Sequence, residues 1–169
     1  LDSHFINLVE RKFENSHFTR VDGDTIDKLI KKDEAQVSKL TNEQQDALKP
    51  VFENAIGIAN PDQQSKFIVM FESLSEKDNP IIITQNEFMR RMMEMQKMQP
   101  NGMMGNMPEM YNLVVNSNHP LVTKILEEKD EQKKNQTAKQ LADLALLSQN
   151  LLKGEELSAF IKRSLEIIK

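Results

Sequence analysis

Apolar residues follow two patterns along the chain, and each pattern predicts one type of secondary structure. Residues three or four positions apart are apolar over residues 1–13 and 47–56 and again after residue 120, which is helical spacing. Short apolar runs occupy residues 67–71, 81–84 and 111–116, and their length and composition favour buried strands. The chain is therefore predicted to be α+β, with a small three-stranded sheet, several helices and a closing helical hairpin.

Turn and cap residues indicate where several of these elements begin or end. Thr41 and Gln44 form a capping-box pattern, which predicts a helix start. Pro50 interrupts the apolar pattern behind it, so we expect either a kink or a helix that begins near Pro50. Gly57 is expected to end that helix. Pro120 is expected to be the first residue of another helix, with the preceding His119 in a structural role.

Composition excludes several functional classes. The 169 residues include 22 basic, 26 acidic and three histidine side chains and no cysteine. The histidines have no partners at metal-ligand spacing, and no nucleophile and base converge as a small hydrolase requires, so we assign no catalytic, cofactor or metal residue. The basic residues are interspersed with acidic ones, so nucleic-acid binding is not expected.

The chain also lacks the marks of a membrane or secreted protein. No apolar run reaches the roughly 18–20 residues of a membrane helix, and residues 1–4 show no signal-peptide pattern. We therefore expect a cytoplasmic protein without membrane contact. Because the sequence does not start with Met, we also expect it to be part of a longer chain.

A methionine-rich stretch at residues 85–98 is predicted to be a helix. Its apolar residues cover an arc of roughly 220°, wider than one buried face requires. The stretch is either a core helix buried on two sides or an adaptable surface that binds apolar segments, to which flexible methionines are suited. We favour the binding surface, and its candidate residues are Phe88, Met89, Met92, Met93, Met95 and Met98.

The last two predicted helices, separated by Gly154, carry apolar residues on more than one face. The first is predicted to run through Leu152. Packing on a small sheet would cover only part of this surface, so we predict that a second copy completes a four-helix bundle through a two-fold interface. The candidate interface residues are Leu141, Leu144, Ala145, Leu147, Leu151, Leu157, Phe160, Ile161, Leu165 and Ile168.

Five motifs follow one another in a distinctive order: Phe18-Thr19-Arg20-Val21-Asp22, Ala47-Leu48-Lys49-Pro50-Val51-Phe52, Asn79-Pro80-Ile81-Ile82-Ile83-Thr84, Tyr111-Asn112-Leu113-Val114-Val115-Asn116-Ser117-Asn118-His119-Pro120-Leu121-Val122, and Phe160-Ile161-Lys162-Arg163. This ordered set resembles the C-terminal domain of the ninety-kilodalton heat-shock chaperones, in the bacterial form called high-temperature protein G. The resemblance extends over nearly the whole chain, although no single motif is specific.

The resemblance implies a division of the chain and a role for each part. Residues 1–32 would end the chaperone's middle domain, and residues 33–169 would form the dimerisation domain. The helix at 85–98 would be a mobile client-contact helix, and the last two helices would form the dimer bundle. ATP and Mg would bind elsewhere in the parent protein, leaving this segment without a cofactor.

The implied partners are a second copy of the chain and partly unfolded client proteins. The sequence ends without the Glu-Glu-Val-Asp tail of eukaryotic cytosolic members, so tetratricopeptide co-chaperones are not implied. Residues 99–108 depart from the family pattern in being rich in Met and Gly, and no role is assigned to them.

The predicted function is therefore that of a dimerisation and client-contact segment of an ATP-dependent heat-shock molecular chaperone, without enzymatic activity of its own. The alternative is an α+β interaction module whose Met-rich helix binds one specific partner helix. Selectivity separates the two. A chaperone binds many unfolded chains weakly, whereas such a module binds one peptide tightly.

Overall fold

The computed structural model describes residues 3–13, 18, 37–57, 65–86, 89–92 and 109–168. Helices and strands alternate irregularly along these ranges, in the order α1 (Ser3–Lys12), α2 (Asn42–Ile56), β1 (Ser65–Glu72), β2 (Ile81–Thr84), β3 (Glu109–Asn116), α3 (Pro120–Glu127), α4 (Glu131–Ser148) and α5 (Gly154–Ile168). Residues 89–92 add a helical turn. The α+β prediction is confirmed.

The three strands form one mixed sheet in the order β1-β3-β2. The central strand β3 runs parallel to β1, with Val69 opposite Leu113, and antiparallel to β2, with Ile83 opposite the same Leu113. All three predicted strands are confirmed, and β1 and β3 each begin two residues earlier than the apolar runs indicate.

One face of the sheet packs against the helices and contains the core. Leu113 and Val115 of β3 are fully buried there, together with Phe52 of α2 and Ala142 of α4. The Phe52 ring meets Phe71 of β1 edge-on, with ring centroids 6.3 Å apart. Successive strand residues point to opposite faces, so Ile68 of β1 lies on the other face, where it is 47 % exposed.

Helix α2 begins where the capping box predicts. Thr41 Oγ1 accepts a hydrogen bond from Gln44 N at 3.3 Å, and the Gln44 side chain accepts one from Thr41 N at 2.9 Å. The helix passes through Pro50, so the expectation of a start near Pro50 is wrong. The cap sets the start of the helix at Asn42, eight residues before Pro50. Gly57 ends the helix in the left-handed conformation, with φ 72°, as predicted.

The break between α4 and α5 lies earlier than Gly154. Helix α4 ends at Ser148, so the prediction that it runs through Leu152 is wrong. Asn150 adopts a positive φ of 56°, and the Leu151 amide then bonds back to Leu146 O at 2.9 Å. This hydrogen bond is typical of an α-helix that ends at a residue in the left-handed conformation. That residue is usually Gly and sometimes Asn.

Several predicted features fall outside the described residues. One is most of residues 18–38, where the pattern predicts a short strand at residues 18–21, a short helix capped by Asp24, and a linker or exposed crossover at residues 31–38. The other is the greater part of the Met-rich stretch, together with the loop at residues 99–108.

Candidate interaction surfaces

A buried polar network joins the two helices of the C-terminal hairpin. Asp143 of α4 has a side chain only 1 % exposed, and both of its carboxylate oxygens are used. Oδ1 accepts from Lys139 Nζ at 2.8 Å, and Oδ2 accepts from Arg163 Nη2 of α5. A buried carboxylate needs such partners, because burying an unpaired charge is very unfavourable.

The same arginine makes one further contact across the hairpin and one within α5. Arg163 Nε donates to Gln140 Oε1 at 2.7 Å, and its guanidinium lies 5.9 Å from the centroid of the Phe160 ring. Gln140 Nε2 in turn donates to Ser164 Oγ at 2.8 Å. The hydrogen bonds between the two helices fix the rotation of α5 relative to α4. They thereby determine which apolar residues of the hairpin remain exposed.

The ten predicted interface residues divide into two groups. Leu141, Ala145 and Phe160 are buried in the core of the same chain, and Leu151 and Leu157 pack partly against that core. The other five are exposed by 38–80 %, and we call them the hairpin stripe: Leu144, Leu147, Ile161, Leu165 and Ile168.

The hairpin stripe has the spacing of a helix-packing surface. On α5, Ile161, Leu165 and Ile168 follow at intervals of four and three residues, so they share one face. On α4, Leu144 and Leu147 are three residues apart and also share a face. Exposed large apolar residues that share helix faces in this way are typical of an interaction surface.

The predicted client-contact helix is described over one turn, residues 89–92. Met89 and Met92 are half-buried in this turn. Phe88, Met93, Met95 and Met98 lie outside the residues whose side chains are described. The backbone amides of Met89 and Arg90 bond to the side chain and the carbonyl of Asn86, at 3.3 and 3.0 Å, so Asn86 precedes the turn as a cap would.

A second polar cluster, in the turn after β3, has a structural role. Asn116 is fully buried; its Oδ1 accepts from Leu74 N at 3.3 Å, and its Nδ2 donates to Ser75 O at 2.8 Å. Asn118 Nδ2 donates to Leu74 O at 3.0 Å. These bonds hold the β1–β2 connection against the end of β3.

His119 completes this turn as the N-cap of α3. Its Nδ1 accepts a hydrogen bond from Leu121 N at 3.1 Å, and Pro120 follows as the first helical residue. Burial lowers the pKa of His119 from its usual 6.5, which favours the neutral ring that this bond requires. The predicted structural role of His119 agrees with this geometry.

Tyr111 of β3 also has a displaced pKa. Burial, with smaller contributions from the hydrogen bond and charge of Glu109, raises the pKa of Tyr111 to about 12. Its hydroxyl donates to Glu109 Oε2 at 2.8 Å, and its ring stacks on Phe67 at 5.5 Å. Tyr111 therefore stays neutral and acts as a packing residue.

Neither metal binding nor membrane spanning is indicated by the described residues. Across these ranges, no three His, Asp or Glu side chains approach one another closely enough to hold a metal ion. Every helix in the part of the chain that the structure describes is too short or too polar to cross a membrane.

Comparison with known proteins places the chain in a family. The sequence model described as Hsp90 protein matches residues 1–168. The chain belongs to the Hsp90 family. This assignment confirms the family resemblance that the sequence motifs indicate.

Bacterial relatives support the Hsp90 assignment. The chain is 33 % identical over 233 aligned positions to chaperone protein HtpG of Bacteroides thetaiotaomicron, covering 99 % of this chain and 34 % of the relative. It is 34 % identical, with the same coverage, to HtpG of Bacteroides fragilis. To HtpG of Porphyromonas gingivalis it is 44 % identical over 127 residues, covering 75 % of this chain and 18 % of the relative. The chain thus spans at most about a third of these proteins.

Proposed function

We propose that this chain forms the dimerisation and client-contact part of an ATP-dependent heat-shock chaperone. The observation that carries the proposal is the hairpin stripe. Five large apolar side chains remain exposed on two helices whose mutual rotation is fixed by Asp143 and Arg163. A second copy of the hairpin offers the matching surface, because a two-fold interface pairs a patch with itself.

The expected energetics support a stable pair. Burying a Leu or Ile side chain fully contributes about 1.5–3 kcal/mol, so a half-exposed stripe residue contributes about 1 kcal/mol when a partner covers it. Both copies contribute each stripe residue to a two-fold interface, so this free energy is counted twice for each residue. Permanent association at this end would hold two ATPase arms of the parent at high effective concentration, so that their closure becomes intramolecular.

The proposed domain division places residues 1–32 at the end of the middle domain and residues 33–169 in the dimerisation domain. Exposed apolar residues on α1 and directly after it support this division. Phe5, Leu8 and Phe13 are each 54–59 % exposed, as expected of a helix whose packing partners belong to another domain. In this proposal ATP and Mg act elsewhere in the parent protein, this segment needs no cofactor, and the assembly is cytoplasmic.

Client contact is proposed for the Met-rich stretch. Met89 and Met92 begin this stretch on the described helical turn, and flexible methionines adapt to varied apolar partners. Weak binding to several unrelated unfolded proteins is the expected behaviour. Tight binding to a single helical peptide would instead indicate a specific interaction module.

The dimerisation proposal is tested with Ile161→Asp and Leu165→Asp combined. Dimerisation of this variant would bury two carboxylates on the stripe of each copy without cationic partners. The variant is therefore expected to sediment as a monomer. Ile68→Asp is the matched control, since Ile68 is 47 % exposed against 50 % for Ile161 but lies on the sheet. An unchanged dimer in the double variant, or equal dissociation in the control, would contradict the proposal.

The client-contact proposal is tested with Met89→Ser and Met93→Ser combined. Binding of a chemically unfolded model protein, measured by fluorescence anisotropy, is expected to weaken without any change in the circular dichroism of the chain. Undiminished binding would show that the methionines do not form the client surface.

A further inference from the structure

One arginine beside the first methionines of the Met-rich stretch contacts the N-terminal helix. Arg91 Nη1 donates to Glu10 Oε2 and to Asn7 Oδ1, each at 3.3 Å. Arg91 Nη2 donates to Glu10 Oε1 at 3.4 Å and to Phe18 O at 2.9 Å. A single guanidinium therefore binds two α1 side chains and the backbone beyond that helix.

The Glu10 carboxylate is shared between this arginine and the backbone. Its Oε1 also accepts from Phe18 N at 2.8 Å. The side chains of Arg91 and Glu10 are only 21 % and 15 % exposed, so water screens the pair less than a surface ion pair. The planar fork of arginine suits two parallel bonds to a carboxylate, and lysine cannot reproduce them.

The position of Arg91 in the turn determines what this contact does. At about 100° per residue, Met89 and Met92 lie about 60° apart on the helix surface, and Arg91 lies about 100° or more from either. Helix α1 therefore holds the polar side of the turn and leaves the methionine side directed away from it. Among the described α1 side chains none is fully buried, so apolar packing fixes α1 only weakly.

We infer that Arg91 is a positioning residue that anchors α1 to the start of the Met-rich stretch, so that client contact at Met89 and Met92 is coupled to the position of α1. This inference rests on the proposed client-contact function. It extends that function by making the N-terminal helix part of the client-binding unit. Client binding should restrain α1, and release of α1 should change the presentation of the methionines.

Hydrogen exchange of the α1 amides in the full 169-residue chain tests the anchor without any client. In Arg91→Ala, exchange over residues 5–13 is expected to be about tenfold faster than in the unaltered chain, as loss of a charge-assisted hydrogen-bond pair implies. Arg11→Ala is the matched control, because it removes an exposed arginine of α1 itself. Equal α1 exchange in Arg91→Ala and the unaltered chain would overturn the inference.

A second arm measures the coupling. Addition of a chemically unfolded model protein is expected to slow α1 exchange in the unaltered chain and in Arg11→Ala, but not in Arg91→Ala. Equal slowing in Arg91→Ala would overturn the coupling even though clients bind. If the unaltered chain binds no client, the proposed function fails, and the client-free exchange rates still decide whether Arg91 anchors α1.

Discussion

Replacing Arg163 with Met is expected to lower the free energy of unfolding by about 2–3 kcal/mol. The change leaves the Asp143 carboxylate, 1 % exposed, with Lys139 as its remaining cation, and it removes the donor to Gln140. Breaking a buried ion pair by removing one partner costs about 3–5 kcal/mol. We take a smaller value because Lys139 is retained and is itself 34 % exposed, so it can still neutralise one oxygen.

The measurement is urea unfolding followed by circular dichroism at one fixed chain concentration, since the stability of an associating protein depends on concentration. With a urea slope of about 2 kcal/mol per molar, the midpoint should fall by about 1 M. Lys162→Met, the exposed neighbour on α5, is the matched control and should shift the free energy by less than about 0.5 kcal/mol.

The double variant Asp143→Asn, Arg163→Met separates a charge effect from lost packing. Asparagine keeps the shape of the side chain without its charge, so the double variant is expected to be about 1 kcal/mol more stable than Arg163→Met alone. The reasoning is refuted if Arg163→Met matches the Lys162 control, or if adding Asp143→Asn destabilises the chain further.

Three further predictions concern the caps and the buried turn. Asn116→Ala should destabilise the fold by about 2–4 kcal/mol in urea unfolding, because it leaves Leu74 N and Ser75 O without their partner. Asn116→Asp should cost at least as much, because it places a buried carboxylate against Ser75 O; a loss below about 1 kcal/mol in either variant would contradict this account. Thr41→Ala should cost about 1 kcal/mol by loss of the capping box, whereas a substitution at exposed Lys49 should not. The pKa of His119 is lowered in the folded chain, so its stabilising contribution is complete above its unfolded pKa of about 6.5 and is lost as the pH falls through the lowered folded pKa. His119→Asn should keep the cap and flatten the pH dependence of stability between pH 7.5 and 5. An unaltered pH dependence would exclude His119 as its source.

Local patterns were sufficient to predict the three strands and the helix ends at Thr41, Gly57 and Pro120. The strand at Ile81–Thr84 and the cap at Thr41 depend on residues adjacent in sequence, so a window of a few residues contains the information. The end of α4 was predicted too late because Asn150, rather than glycine, adopts the left-handed conformation. Asn does so less often than Gly, and the sequence therefore favoured Gly154.

The contacts that position the hairpin stripe and the Met-rich turn could not be predicted from local patterns. Asp143 and Arg163 are 20 residues apart, and Glu10 and Arg91 are 81 residues apart, so their pairing requires the finished fold. For the same reason, periodicity placed buried Leu141 and exposed Leu144 in one candidate interface. Only the rotation of α5 against α4 separates the core residues of the hairpin from the exposed stripe.

The central claim is that two copies of this chain associate through the hairpin stripe. Sedimentation equilibrium at micromolar concentration tests it most directly. A mass twice the 19.5 kDa of the chain is predicted, together with its reduction to the single-chain mass by the combined Ile161→Asp and Leu165→Asp substitutions. A single-chain mass for the unaltered protein at that concentration would contradict the account.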